Sequence, residues 1–254
     1  MRLLLPPSET KRDGGDEVAV DLHALSFAEL TPIRTATTGA VVALAREPDD
    51  MMRALKLGPR QVHEVGRNRD LLVSPTMPAL DRYTGVLYDA LDAATLDAEA
   101  RAYAADHVVV HSALFGPLGA MDRIPAYRLS HDSRLPGVRL KALWRAPIAA
   151  ALEAEPGVML DLRSEAYVDL GPTPVRPDSA FVRVVSVDGA GRRRALNHFN
   201  KRAKGLFTRA VLTERPNPRS IDELIEWARE AGFSLSFGQR RHTASVCELE
   251  LVAA

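Results

Sequence analysis

The sequence predicts an α/β protein: one domain over residues 1-254, in which a compact mixed sheet is surrounded by helices. Three observations carry this prediction. Short β-type apolar runs such as "RLLL" (residues 2-5) and "VVV" (108-110) alternate with stretches whose apolar residues recur at helical spacing. At 254 residues and 46% apolar content, the chain is long and apolar enough to bury a sizeable core. No internal repeat, low-complexity tract or interdomain linker interrupts the alternation.

Residues 2-5 read as a strand that stops at Pro6-Pro7, and "SETKRDGGDE" reads as a polar loop after it. Residues 38-72 hold short helices separated at Pro48 and at Gly58-Pro59, with Asp49 and Asp50 suited to a helix N-terminus. "PALDRYTGVLYDALDAATL" places Leu80, Tyr83, Leu87 and Leu91 at near-helical spacing and predicts one helix. Val108 to Val110 form a buried strand that delivers a glycine-containing loop to the edge of a sheet, a setting for a site. "RLKALWRAPIAAALEA" resumes helical spacing, "GVMLDLRSEAY" reads as a strand entering a polar turn, and "SAFVRVVSVDGAGRRRAL" as a strand ending at a Gly-rich turn. A basic helix follows. After it comes "SIDELIEWAREAG", with Ser220 and Glu223 at capping-box spacing and Gly232 as a stop, then two strands around residues 233-237 and 245-252.

Lys plus Arg and Asp plus Glu both number 33, so any attraction to a polyanion is local rather than global. The single cysteine, Cys247, sits in an alternating strand-like stretch, which excludes an intrachain disulfide and a cysteine-based metal site and fits a reducing cytoplasm. "MRLLLPPSETK" is too short for a signal-peptide core, and no stretch approaches the ~18 consecutive apolar residues of a membrane span. A cytoplasmic protein with no membrane partner is expected.

The local charge lies in "GRRRALNHFNKRAKGLFTRAV", where seven Lys or Arg between residues 192 and 209 face no acidic residue within the segment. On a helical wheel Leu196, Phe199, Ala203, Leu206, Phe207 and Ala210 share one sector, and Arg194, His198, Lys201, Arg202 and Arg209 gather opposite. Gly205 falls in the charged sector, where it costs roughly 1 kcal/mol of helix propensity but lets a phosphate or a second backbone approach. A plain solvated face is one reading. Pairing with the six acidic residues of segment 81-106 is another, and a phosphodiester backbone is the third.

Polar clusters follow several predicted strands. "HSALFGPLGAMDRIPAYRLSHDSRLPG" offers Ser112, Asp122, Arg123, Tyr127, Arg128, His131 and Asp132, though its glycines lack dinucleotide-fingerprint spacing. "PSETK" supplies hydroxyls, a carboxylate and Lys11 without a Walker pattern, and reads equally as a turn. In "DLRSEAY", Ser164 either caps a short helix or joins Glu165 and Tyr167 in a site. His107 and His111, four apart, fall on one face of an extended strand, but without a third ligand no metal is assigned. No cofactor is implied, and no Ser/His/Asp or Cys/His nucleophile pattern stands out.

Taken in order, "PPSETK", "DRYTGVLYDAL", "HSALFGPLGAMDRIPAYRL", "LKALWRAPI", "DLRSEAY" and "NKRAKGLFTRAV" resemble the peroxide stress resistance protein YaaA family over nearly the whole chain. The resemblance implies a cytosolic bacterial protein that protects against hydrogen peroxide, in some members by limiting unincorporated iron. It also implies a compact α/β fold with a basic cleft and a helix-hairpin-helix-like element that binds DNA. By motif position the residues it marks are Lys11, Arg82, Tyr83, Asp122, Tyr127, Arg128, Ser164, Glu165, Tyr167, Lys201 and Lys204. The chain departs from the common pattern at Phe115, where tyrosine is frequent, at Asp161 and Arg163, and at Lys204, where arginine is frequent.

The first functional expectation is a DNA-binding protein, for duplex or distorted DNA. Arg194, Lys201, Arg202, Lys204 and Arg209 grip phosphates, while Arg82, Tyr83, Tyr127 and Arg128, with Lys11, line a cleft for an unpaired base. The second is an enzyme acting on a nucleotide or damaged nucleobase, with Glu165 or Asp122 doing acid-base work and Lys11 and Arg128 holding a phosphate. Direct iron sequestration has little ligand support in the sequence.

Overall fold

The computed structural model of the chain describes residues 1–187, 193–195, 200–238 and 246–253. Strand β1 (Arg2–Leu5) opens the fold, followed across a long loop by helices α1 (Thr31–Leu44), α2 (Pro48–Ala54) and α3 (His63–Arg69). Pro48 begins α2 at a position whose N–H has no helical partner in any case, and Asp49 and Asp50 meet the positive end of its dipole. Next come the short strand β2 (Met77–Pro78), helices α4 (Ala79–Arg82), α5 (Val86–Leu91) and α6 (Ala98–His107), and strands β3 (Val108–Ser112), β4 (Gly116–Gly119) and β5 (Arg123–Ile124). Helix α7 (Leu140–Glu153), strand β6 (Met159–Asp161), helix α8 (Glu165–Val168), strand β7 (Ser179–Val187) and strand β8 (Arg193–Ala195) follow. The chain ends with α9 (Asn200–Glu214), α10 (Ile221–Glu230), β9 (Leu235–Phe237) and β10 (Cys247–Val252).

Among the described residues one mixed sheet runs in the order β4-β3-β1-β6-β7-β10-β9, with β8 also paired to β7. Its centre, β3-β1-β6-β7-β10, is parallel, and antiparallel β4 and β9 close the two ends. Strands β3 and β6 are buried throughout and β1 nearly so, which is why they read as unbroken apolar runs: helices cover both faces of the sheet. Strand β1 lies between β3 and β6, so chain arriving from opposite directions meets beside it. In open parallel sheets such a switch point leaves a crevice beyond the carboxyl ends of the strands.

Four sequence expectations change. The single helix expected over 78-96 is broken into α4 and α5, because Gly85 adopts φ +96° between them and Asp92 ends α5 at φ +52°; Leu80, Tyr83, Leu87 and Leu91 are nonetheless all buried. The glycine loop after β3 is a turn into β4, which pairs antiparallel with β3. His107 ends α6, stacked on Tyr103, whereas His111 lies in β3, so the two histidines do not share a strand.

The basic segment is not one helix. Arg194 belongs to β8, opposite Ser186 of β7, and an antiparallel ladder occupies backbone groups that a helix end would leave open. Its side chain, with Leu196, His198 and Phe199, lies outside the described residues. Helix α9 also buries a different face from the wheel's apolar sector, with Lys204, Gly205, Phe207, Thr208, Val211 and Leu212 turned inward. Gly205 explains the rotation: a Cβ there would stand 2.2 Å from Leu87 O and 2.9 Å from Ala90 Cβ, so α9 meets the α5 backbone at glycine contact. The second backbone, not a phosphate, occupies that gap.

Candidate functional site

A cleft of about 300 Å³ opens where the loop after β1, the loop after β6, residues 129-131 and the start of α9 meet. One side is apolar and ring-bearing, with Pro6, Pro7, Leu129, Leu162 and Tyr167, and His131 packs edge-on to Tyr167 at 5.3 Å between ring centres. Hydroxyls come from Ser8, Ser130 and Ser164. Ser164 begins α8 but makes no side-chain cap bond, so its hydroxyl is not committed to the helix end that its sequence position favours.

Helix α9 contributes Asn200, Lys201 and Lys204. Lys201 is exposed, and among the described residues its side chain has no hydrogen-bonding or ion-pair partner. Lys204 is only 4% exposed; its Nζ donates to Arg163 O at 3.3 Å, and among the described residues no carboxylate lies within ion-pair distance. Burial lowers its pKa to about 8, against the partial support of Asp161 and Glu165. Asn200 Oδ1 is buried without a hydrogen-bond partner.

Lys11, Tyr127 and Tyr83 stand directly behind the wall formed by Ser8 and Glu9. Lys11 Nζ donates to Ser8 O at 3.0 Å and Glu9 O at 3.4 Å, and lies 4.1 Å above the Tyr127 ring and 5.3 Å from that of Tyr83. Burial pulls its pKa down to about 7, with Glu64 opposing the shift and Arg128 adding to it. The Tyr83, Tyr127 and Ser112 hydroxyls form a chain with 2.7 Å steps, and Ser112 Oγ accepts from Leu114 and Phe115 N–H. Burial pushes Tyr127 well above an ordinary phenol, so this chain stays protonated. Phe115, buried edge-on to Tyr127, puts no further hydroxyl beside it. Arg128 ties two walls together: its Nη2 donates to Glu9 Oε2 at 2.7 Å, and Asn68 holds its backbone N–H and C=O.

Under the cleft, Arg163 pairs bidentately with Asp161 at 2.9 and 2.6 Å, and Thr173 donates to the same carboxylate. Both charges are buried, and such pairs hold only when their remaining hydrogen-bonding capacity is filled. Arg163 also donates to His111 Nδ1, which leaves the imidazole proton on Nε2; burial and Arg163 push His111 well below its usual pKa and keep it neutral. Asp161 and Arg163 thus form one unit, and the Arg163 carbonyl receives Lys204.

Other expected site residues are placed elsewhere. Arg82 is fully buried and its guanidinium donates to the carbonyls of Arg12, Gly14, Pro75 and Ile124, holding the loop after β1 onto the body of the protein. Asp122 accepts from Ser26 N, Ser26 Oγ and Gly119 N, and burial raises its pKa; it anchors the approach to α1 and does not line the cleft. Glu165 follows Ser164 but points to solvent, paired with Arg183 at 3.2 Å. Arg209 donates to Leu91 O, Asp92 O and Thr95 Oγ1, capping the end of α5, so part of the basic face is neutralised by the 81-106 segment. Arg202 is exposed without a partner among the described residues and borders a separate apolar pocket with Phe233 and Leu251. Asn200 and Ser130 were not singled out from sequence; their only signal was adjacency to Lys201 and to "AYRL". Among the described residues no group of three or more His, Cys, Asp or Glu gathers as metal ligands, and no helix is long and apolar enough to cross a membrane.

Comparison with known proteins places this geometry in a family. A UPF0246 protein of Corynebacterium efficiens is 40% identical over 246 residues, covering 95% of this chain and 97% of its own. A UPF0246 protein of Streptomyces coelicolor is 40% identical over 239 residues, covering 92% of each. An uncharacterised protein of Campylobacter jejuni is 25% identical over 210 residues, 82% of each. The family model described as peroxide stress protein YaaA matches residues 1–237, every segment that builds the cleft included, and the chain belongs to that family.

Proposed function

We propose that the protein acts in peroxide stress by binding DNA at single-stranded or distorted positions, with one unpaired nucleotide entering the cleft and the neighbouring phosphates meeting Lys201 and Arg202. The observation that supports this most is the pair of exposed cations at the start of α9, without a partner among the described residues, beside a cleft lined in part by aromatic and apolar side chains. A cleft of about 300 Å³ suits one nucleotide unit, so strand distortion sets the preference in this reading. Phosphate contact comes from α9 and the cleft.

Fluorescence anisotropy with single-stranded, bubbled and fully paired DNA tests the reading. The expected order is single-stranded and bubbled above paired, with log K for the single strand falling against log salt at a slope of about −1.4 to −2.1 for two or three neutralised phosphates. Absence of binding to all three at low salt overturns it.

A second reading, an enzyme acting on a nucleotide or damaged nucleobase, draws support from Lys11, whose amine is largely neutral at slightly alkaline pH behind the cleft wall. Asp122 is held by Ser26 and Gly119 and Glu165 is paired with Arg183, so this reading draws its support from Lys11. Product formation abolished by Lys11→Met in a folded protein supports it; no turnover across nucleotides and lesion-bearing strands removes it.

A further inference from the structure

The cleft is polarised. Lys204 is 4% exposed at the cleft wall; among the described residues its ammonium has one hydrogen bond, at 3.3 Å to a carbonyl, a Phe181 ring at 5.6 Å and no carboxylate within ion-pair distance, so two of its three N–H donors have no hydrogen-bond partner there. A buried ammonium so lightly paired is costly and calls for an anion. Asn200 Oδ1, buried in the same wall, is an acceptor without a donor. Glu9, the carboxylate in the lining, is engaged by Arg128. The α9 edge that carries Lys201 and Lys204 therefore asks for negative charge, Asn200 asks for a hydroxyl or amino group, and the rest of the lining offers Tyr167, Pro6 and Pro7 to a ring.

We propose that the cleft is a phosphomonoester site, taking a terminal phosphate attached to a nucleoside, either a free nucleotide or the end of a strand, with Lys204 as the deep cation and Lys201 at the rim. Depth argues for a terminal group: a phosphodiester is flanked by sugar on both sides and does not reach an ammonium this buried, whereas an end enters. Charge agrees, since a monoester carries about −1.5 to −2 at neutral pH and two ammonium groups face it. The cleft volume of about 300 Å³ fits one such unit and not several. The inference rests on the DNA-binding reading only for the strand-end form of the ligand.

The test compares one 3′-labelled oligonucleotide with a 5′-phosphate or a 5′-hydroxyl, and competes each with a nucleoside 5′-monophosphate and the bare nucleoside. The 5′-phosphorylated strand is expected to bind about tenfold tighter, equivalent to about 1.4 kcal/mol. Lys204→Met is expected to erase the difference and Lys204→Arg to restore part of it, with thermal melting reporting whether each variant is folded. The wild-type comparison stands without any variant. Equal binding of both strands overturns the terminal-phosphate site while leaving single-strand binding in place. Binding of the monophosphate, but of no strand, supports the site and overturns the DNA reading. Binding of neither overturns both.

Discussion

Two buried lysines set the residue-scale behaviour. Folding lowers the Lys11 pKa from 10.5 to about 7, so the folded state holds fewer protons than the unfolded chain between those values. Its contribution to stability is therefore fully present above the unfolded pKa and is lost as pH falls towards 7. Against Lys11→Met, the wild type should gain stability by up to about 1.4 kcal/mol per pH unit from about pH 7.5 to 9.5, measured by urea unfolding. Lys204 titrates in both proteins and cancels from the difference; a difference that does not change with pH contradicts the buried amine. For Lys204 the sign concerns binding: Asp161 from β6, Glu165 from α8 and Arg183 from β7 surround it, burial holds its pKa near 8, and phosphate affinity should fall as pH rises through that value. Of the residues the sequence motifs marked, Ser164 and Lys204 line one concavity, and Lys11 and Tyr127 stand behind its wall. Arg82 is instead held inside the protein: an arginine's charge is visible in sequence, whereas the four carbonyls that bind it come from segments far apart in the chain.

At the scale of elements, α9 against α5 is the contact that fixes the cationic edge of the cleft. Gly205→Ala raises helix propensity by about 1 kcal/mol, yet the added methyl meets Leu87 O, so a net loss of about 1–3 kcal/mol is expected by thermal or urea unfolding. Unchanged or increased stability contradicts the close approach. Arg209→Ala should likewise lower stability, because it uncovers the carbonyls that end α5, while DNA affinity stays within about twofold, under the ~0.5 kcal/mol scatter of distant sites. Most strands and helices were legible from apolar runs, prolines and caps; at α10, Ser220 Oγ accepts from Glu223 N–H as its spacing foretold. The break at Gly85 and the change from β8 to α9 were not legible. A glycine's positive φ leaves the 3.6-residue pattern intact, and arginines in "RRRAL" suit the outer side of a strand as well as a helix.

Across the whole molecule, the site exists because β1 sits between β3 and β6. That order joins residues more than a hundred positions apart, as in the pairing of Leu3 with Leu160, and no local pattern in the sequence records it. Polar loops were visible after several predicted strands; their convergence was not. Among the described residues the cationic ridge expected from the sequence is a short edge, since Lys204 is buried, Arg209 is tied to the end of α5, and Lys201 with Arg202 remains outward. Nucleic-acid binding should accordingly respond to Lys201→Glu with Arg202→Glu by a loss of at least about tenfold at low salt, the scale of two phosphate contacts.

Lysine acetylation footprinting with and without single-stranded DNA tests the location of binding most directly. Lys201 should be modified in the free protein and protected in the complex, while Lys56 and Lys141, exposed and paired with Asp132 and Asp169, should react equally in both. Equal modification of Lys201 with saturating DNA bound would contradict the placement of nucleic acid at this cleft.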